Sequence, residues 1–220
     1  MRNAAARYDE LIKLDVISDP ICPWCYIGKT HLDRALAMRP DHGFVIEWHP
    51  FQLNPTMPPE GMDRRAYLET KFGGPEGAAR AYAPVVSTAQ KAGLSINFDG
   101  IKTTPNTIDA HRLIHWGGVA GCQTAIVDQL FDAYFVKGQN IGDHGILANI
   151  AAACGMDRTE VAARLDSDHD LTATRARDSQ IRKMGVSSVP TFVILNQHVV
   201  SGAQPPETWV SIIDQIAAQT

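Results

Sequence analysis

Two cysteines three residues apart, Cys22 and Cys25, fall where a strand-forming run gives way to helical periodicity. The run before them, Leu11 to Ser18 (LIKLDVIS), carries β-branched residues in partial alternation and predicts a strand. After them, Tyr26, Ile27, Leu32, Ala35 and Leu36 make an apolar stripe that predicts a helix from Pro23 to about Met38, ended by Arg39-Pro40. Phe44 to Phe51 (FVIEWHPF) alternates as a second strand, and Pro50 suits an edge position. No other part of the chain constrains the fold as tightly as this β-α-β opening with a cysteine pair at its first turn.

The pattern then changes. Asn54 to Pro59 (NPTMPP) and Ile96 to Thr103 read as loops. Helical periodicity otherwise dominates from Asp63 to Leu165, predicting helices over 63–72, 75–92, 105–117, 121–136, 143–154 and 158–166. Asp157 with Glu160 fits a capping box, and Cys154-Gly155 fits a helix C-terminus. A further helix over 168–184 stops at Gly185. Thr191 to Leu195 (TFVIL) and His198 to Ser201 (HVVS) predict a hairpin turning at Asn196-Gln197, before a closing helix over 206–218. The fold class is α/β: residues 1–58 and 168–220 form one layered unit, and residues 59–167 a helical insertion that covers part of it.

Composition narrows the chemistry. A net charge of −4 argues against nucleic acid or an anionic membrane surface as partner. No apolar run reaches the roughly 18 residues of a membrane span. In MRNAAARYDELIKLDVISD, Asp9, Glu10 and Lys13 interrupt the stretch a secretory signal needs, so a cytoplasmic location is expected. Four cysteines are too few to staple 220 residues. In a reducing compartment a close pair reads as redox or metal chemistry.

With Cys22 as helix N-cap, Pro23 becomes the first helical residue, where its missing N–H costs nothing. The N–H groups of Trp24 and Cys25 are then expected to lack intrahelical partners and to point at the Cys22 sulfur, favouring a thiolate there together with the helix dipole. Cys25 lies one turn in, about 5–6 Å away by Cβ, close enough to form a disulfide. Cys22 is the expected attacking thiol and Cys25 the resolving one. Two alternatives stand beside this: a pair of inert buried thiols, and half of a zinc site, for which the sequence offers no second C-x-x-C pair.

A second signal is GVSSVPTFVI, Gly185 to Ile194, where a proline directly precedes a strand. That placement leaves the backbone of Val189 free to pair with an extended ligand. His31 and His49 could approach the cysteines, although structural roles suit both better. Asp19 could exchange protons with Cys25 or simply tie its loop. Trp24 is expected beside the thiolate, exposed or packed. Cys122 and Cys154 read as buried small hydrophobes on apolar helical faces. Thr174 to Lys183 reads as a solvated helix face. Asn54 is a turn former or a ligand contact.

Taken together, SDPICPWCYIG, PFQLNP (50–55), AHRL (110–113), LFDAYF (130–135), GVSSVPTFVI and SGAQ (201–204) resemble a DsbA-type thioredoxin-fold oxidoreductase. The chain is similar to the cytoplasmic FrnE-like branch, which groups with 2-hydroxychromene-2-carboxylate isomerase and kappa-class glutathione transferase. The resemblance spans nearly the whole chain and implies a thioredoxin-like fold with a large all-helical insertion. It implies that Pro190 is cis and lies against the cysteine pair, and that the insertion is a lid over the redox site. Substrate would meet Pro23, Trp24, Asn54, Val189 and Pro190. The isomerase and transferase relatives usually carry serine at the first position and work with glutathione. Cys22 stands there in this chain, which argues for thiol–disulfide exchange on protein or small-molecule thiols and against isomerisation of a small aromatic compound. No metal or bound cofactor is implied, glutathione remains a candidate co-substrate, and a homodimer is allowed. A chaperone-like binding module is the non-enzymatic alternative. Trp24 replaces a histidine found in periplasmic oxidants of the family, which implies a less oxidising disulfide.

Overall fold

A computed structural model describes residues 11–219. The signal-peptide reading of the first ten residues therefore lies outside the described residues.

The apolar runs at the two ends of the chain meet in one sheet. β1 (Ile12–Ser18) is central, parallel to β2 (Phe44–Pro50) and antiparallel to β5 (Thr191–Ile194), with β6 (His198–Ser201) beyond it: the order is β2-β1-β5-β6. Pro50 sits on the edge strand β2, where its missing N–H breaks no ladder. Period-two alternation sends Leu14 and Val16 to one face and Asp15 and Ile17 to the other. The first face packs under α1 (Pro23–Met38) and α9 (Pro206–Ala217), where Phe192 meets Trp209 edge to face at 4.8 Å between centroids. Both residues are fully buried.

The region between β2 and β5 is mainly helical, with α2 (Arg64–Phe72), α3 (Pro75–Lys91), α4 (Ile108–Val119), α5 (Gln123–Phe131), α6 (His144–Ala153), α7 (Arg158–Leu165) and α8 (Leu171–Lys183). α4 and α8 pack on β2, and α3 packs on α1. Asp63, Asp143 and Asp157 cap α2, α6 and α7 by accepting from the N–H three residues on. Among the described residues, no helix is long and apolar enough to cross a membrane.

Several boundaries differ from expectation for identifiable reasons. A two-residue ladder, β3 (Met62–Asp63) with β4 (Thr103–Thr104), ties the start of α2 to the segment expected as loop. α4 begins at Ile108 rather than 105, because the Asn106 side chain accepts the Ile108 N–H and holds the preceding residues out of the helix. The helix expected over 121–136 starts at Gln123 and widens to a π turn over Asp132–Val136. The hairpin turns at Leu195-Asn196, one residue earlier than expected: both have positive φ, 53° and 56°, and the Gln197 N–H donates to the Ile194 carbonyl. Positive φ at both central residues gives the turn the twist that hairpin strands favour.

Candidate functional site

Cys22 caps α1 with extended backbone angles, and Pro23 is the first helical residue. The Cys25 N–H, however, donates to the Cys22 carbonyl at 3.0 Å, and the Cys22 side chain makes no capping bond. This corrects the expectation that the Cys25 amide points at the sulfur; the tight first turn claims it. The Cys22 thiol instead faces the Val189 carbonyl at 3.8 Å. The Val189–Pro190 peptide is cis, and Pro190 is buried against α1.

Cys22 is 4 % exposed but lines a cavity of about 310 Å³, whose wall also includes Trp24, Leu53, Tyr82, Tyr134 and Val189. Pro23 and the half-buried Trp24 form the lip on the α1 side. Cys25 is 1 % exposed. Burial pushes its thiol well above the usual range, and the adjacent Cys22 pushes it further, while the Ser18 hydroxyl and the Asp19 amide act the other way. The pair is present as free thiols.

Behind the pair, Asp19 is fully buried. Its oxygens accept from the Ile21 amide at 3.3 Å and the Leu53 amide at 2.7 Å, which ties the cysteine loop to the Gln52-Leu53 segment. Burial raises its carboxyl to about 7, against those N–H groups and the Thr107 hydroxyl. His111 Nε2 lies 3.8 Å from Asp19 and is buried without a hydrogen bond of its own. Desolvation lowers that imidazole to about 4, so both groups are neutral between these values. His111 lies in the AHRL stretch, and its pairing with Asp19 could not be read from spacing.

The other candidates lie elsewhere. His31 Nδ1 is 3.0 Å from the Gln204 carbonyl, and His49 Nε2 pairs with Asp15 on the far face of the sheet. Asn54 does not touch the cysteines; its Oδ1 accepts from Tyr67 at 2.8 Å and its Nδ2 is buried unpartnered. Cys122 and Cys154 are half-buried at helix ends, as N-cap of α5 and C-cap of α6, rather than on helical faces. α8 is solvated on one side only: Thr174 and Asp178 are buried, and Asp178 accepts from the Gln52 amide at 2.7 Å and from Arg182.

The one grouping of three metal-ligand side chains among the described residues is Asp15, Glu47 and His49. The Lys13 ammonium sits 2.9 Å from both carboxylates, so a cation already fills that position. Cys22 and Cys25 gather no third ligand among the described residues.

A parallel-antiparallel sheet, a cysteine pair at the start of α1 and a cis-proline loop facing the first thiol define a thioredoxin-fold redox protein. The chain belongs to the DsbA-like thioredoxin domain family, whose model matches residues 13–214. It is 26 % identical to the Bacillus subtilis protein YwbO over 87 % of this chain and 90 % of that one. A probable DsbA oxidoreductase of Streptomyces coelicolor superposes with a TM-score of 0.83 at 27 % identity, covering 95 % of this chain and 91 % of that one. The cytosolic disulfide reductase DsbM of Pseudomonas aeruginosa, solved with GSH, shares the fold with a TM-score of 0.66 at 19 % identity, over 94 % and 99 % of the two chains.

Proposed function

We propose that the protein is a thiol–disulfide oxidoreductase in which Cys22 exchanges with substrate and Cys25 resolves. The observation that carries this is the asymmetry of the pair: Cys22 lines a cavity, whereas Cys25 is sealed one helical turn behind it. A Cys22 thiolate attacks one sulfur of a disulfide; that S–S bond breaks, a mixed disulfide forms, and the first thiolate leaves and takes a proton. The Cys25 thiolate then attacks the Cys22 sulfur and releases the second thiol. Two electrons pass from the cysteine pair to the substrate, and the reverse sequence oxidises a dithiol.

Pro23, Trp24, Val189 and Pro190 surround the exchange point, with helices from the 59–167 insertion closing over it as a lid. Among the described residues the Val189 amide makes no hydrogen bond, which supports its pairing with an extended substrate. Asn54 acts through Tyr67, on the cavity wall. Glutathione as co-substrate and a cytoplasmic site of action are supported by DsbM, a cytosolic protein solved with GSH.

The test is trapping. Cys25→Ser, incubated with a neutral disulfide such as bis(2-hydroxyethyl) disulfide, is expected to gain one adduct on Cys22, read by intact mass. The wild-type chain is expected to end as a Cys22–Cys25 disulfide without adduct. Adducts distributed over Cys122 and Cys154 with Cys22 unmodified would reject the assignment.

A further inference from the structure

The face of the sheet turned away from α1 carries a second cavity, of about 450 Å³, closed on its other side by α4 and α8. Ile17 and Val193 line it from the strands, Ile114 and Ile181 from the helices. Neither Cys22 nor Cys25 lines it. Its deepest polar group is the Thr174 hydroxyl, on a residue 1 % exposed, and that oxygen is buried with no hydrogen bond of its own. An orphaned buried hydroxyl is costly, and a ligand group that bonds it recovers the loss.

The mouth is charged, and its charges are unevenly used. Lys13 lies 2.9 Å from both Asp15 and Glu47, and Asp15 also holds His49, so Asp15 is fully engaged. Glu47 is exposed; its Oε2 meets Lys13, whereas its Oε1 stands 3.9 Å from His49 Nε2. Opposite, the exposed Arg177 donates from Nη1 to His115 Nδ1 at 2.6 Å, and among the described residues no carboxylate pairs with it. Burial lowers His115 and the Arg177 charge lowers it further, while Asp170 and Glu47 act the other way. The imidazole is therefore neutral near neutrality and cannot compensate the guanidinium. Asp170 is itself taken by the Trp116 indole N–H at 2.9 Å. Arg177 and Glu47 thus act on one imidazole and line one mouth, yet do not pair with each other.

We propose that this cavity binds a free aromatic α-amino acid: Arg177 receives the α-carboxylate, Glu47 the α-ammonium, and the ring enters between the sheet and α8. A plain carboxylate would meet Glu47, and a plain amine would meet Arg177; a zwitterion satisfies both. The apolar walls take the ring. A hydroxyl on its far end would reach Thr174, and among amino-acid side chains only a phenol joins a long apolar body to a terminal hydroxyl. The volume suits a ligand of this class.

The experiment titrates the reduced wild-type chain with L-phenylalanine, N-acetyl-L-phenylalanine, L-phenylalaninamide and L-tyrosine, read by saturation-transfer NMR. Phenylalanine is expected to bind at least ~10-fold more tightly than either singly charged analogue, the scale of a hydrogen bond to a charged group, and tyrosine about threefold more tightly again. Glu47→Gln is expected to remove the preference over the N-acetyl compound, Arg177→Gln that over the amide, and Thr174→Val that of tyrosine over phenylalanine. Exchange with a neutral disulfide should be unchanged in all three variants. No saturable binding of any probe would overturn the site, as would equal affinities for phenylalanine and both analogues. Preferences that survive Glu47→Gln and Arg177→Gln but vanish in Arg64→Gln would place the amino acid beside Cys22 and overturn it too. Glu47 and Arg177 are surface residues whose replacement spares the core, and the wild-type ranking decides the matter even if Thr174→Val fails to fold.

Discussion

Gly28 lies directly beneath Pro190: a Cβ built on Gly28 would stand 3.0 Å from the proline Cγ. The second turn of α1 therefore has no side chain where the loop facing Cys22 rests on it. Gly28→Ala forces that loop outward by a few tenths of an ångström, and Gly28→Val forces it further. The expected cost for alanine is about 1–3 kcal/mol, typical of overpacking. Urea unfolding measures this, and single-turnover oxidation by a neutral disulfide should slow in parallel as Val189 moves from Cys22. A stable Gly28→Val with unchanged exchange would show that the contact is slack.

Resolution should be base-limited. Burial holds the Cys25 thiol well above an ordinary cysteine. Only the thiolate attacks. The preformed mixed disulfide on Cys22 should therefore decay about tenfold faster per pH unit from 7 to 9, because the thiolate fraction rises by that factor below the pKa. Stopped-flow release of a chromogenic thiol reads this directly. A rate independent of pH over that interval would place Cys25 in a more polar setting than the structure does.

The buried acid should leave a signature in stability. Asp19 is raised from 3.8 to about 7, so the folded state binds its proton more tightly than the unfolded chain does. That contribution is fully present below pH 3.8 and is lost as pH rises through 7, on the order of 4 kcal/mol in all. His111, lowered from 6.5 to about 4, works in the opposite sense, its contribution being lost as pH falls through that value. Asp19→Asn removes the first slope. The stability of wild type minus that of Asp19→Asn should therefore fall steadily from pH 4 to pH 7, by chemical denaturation. A flat difference would mean that Asp19 is solvated.

Arg112 should be among the costliest single losses. It is 2 % exposed, and its guanidinium donates to the carbonyls of Arg164, Leu165, Ser167 and His169 and to the Asp109 carboxylate. It thereby satisfies the end of α7 and the turn into α8. Arg112→Leu removes the donor to the buried Leu165 carbonyl and to the partly buried bonds at Ser167 and His169, and takes the partner from Asp109; it is expected to destabilise by about 3–5 kcal/mol, with Arg112→Lys recovering little because it lacks the planar fork. Thermal unfolding distinguishes this from a surface-like loss below ~1 kcal/mol.

How much of this could be read from the chain depends on the range of the forces involved. β1, α1, β2 and the capping of α1 by Cys22 follow from local pattern and from Pro23, and they lie where expected. β3 and β4 span two residues each, too few to show any period, and exist because they pair with each other. DAYFV continues a helical stripe, so its π widening is invisible to periodicity. Asp178 reads as one charge among many on α8; its burial depends on an amide 126 residues away. Arg64 likewise reads as an ordinary basic helix start. Its burial exists only once Tyr82 and Tyr134 close around it.

The thiol of Cys22 and the carbonyl it faces are 167 positions apart in the chain. A ribosome adding 5–20 residues per second emits the first of them roughly 8 to 33 seconds before the second. For that interval the nascent polypeptide carries two uncovered sulfurs with no proline loop beside them, open to adventitious oxidants. Those sulfurs are shielded only once the Val189–Pro190 segment has been made and has folded against α1.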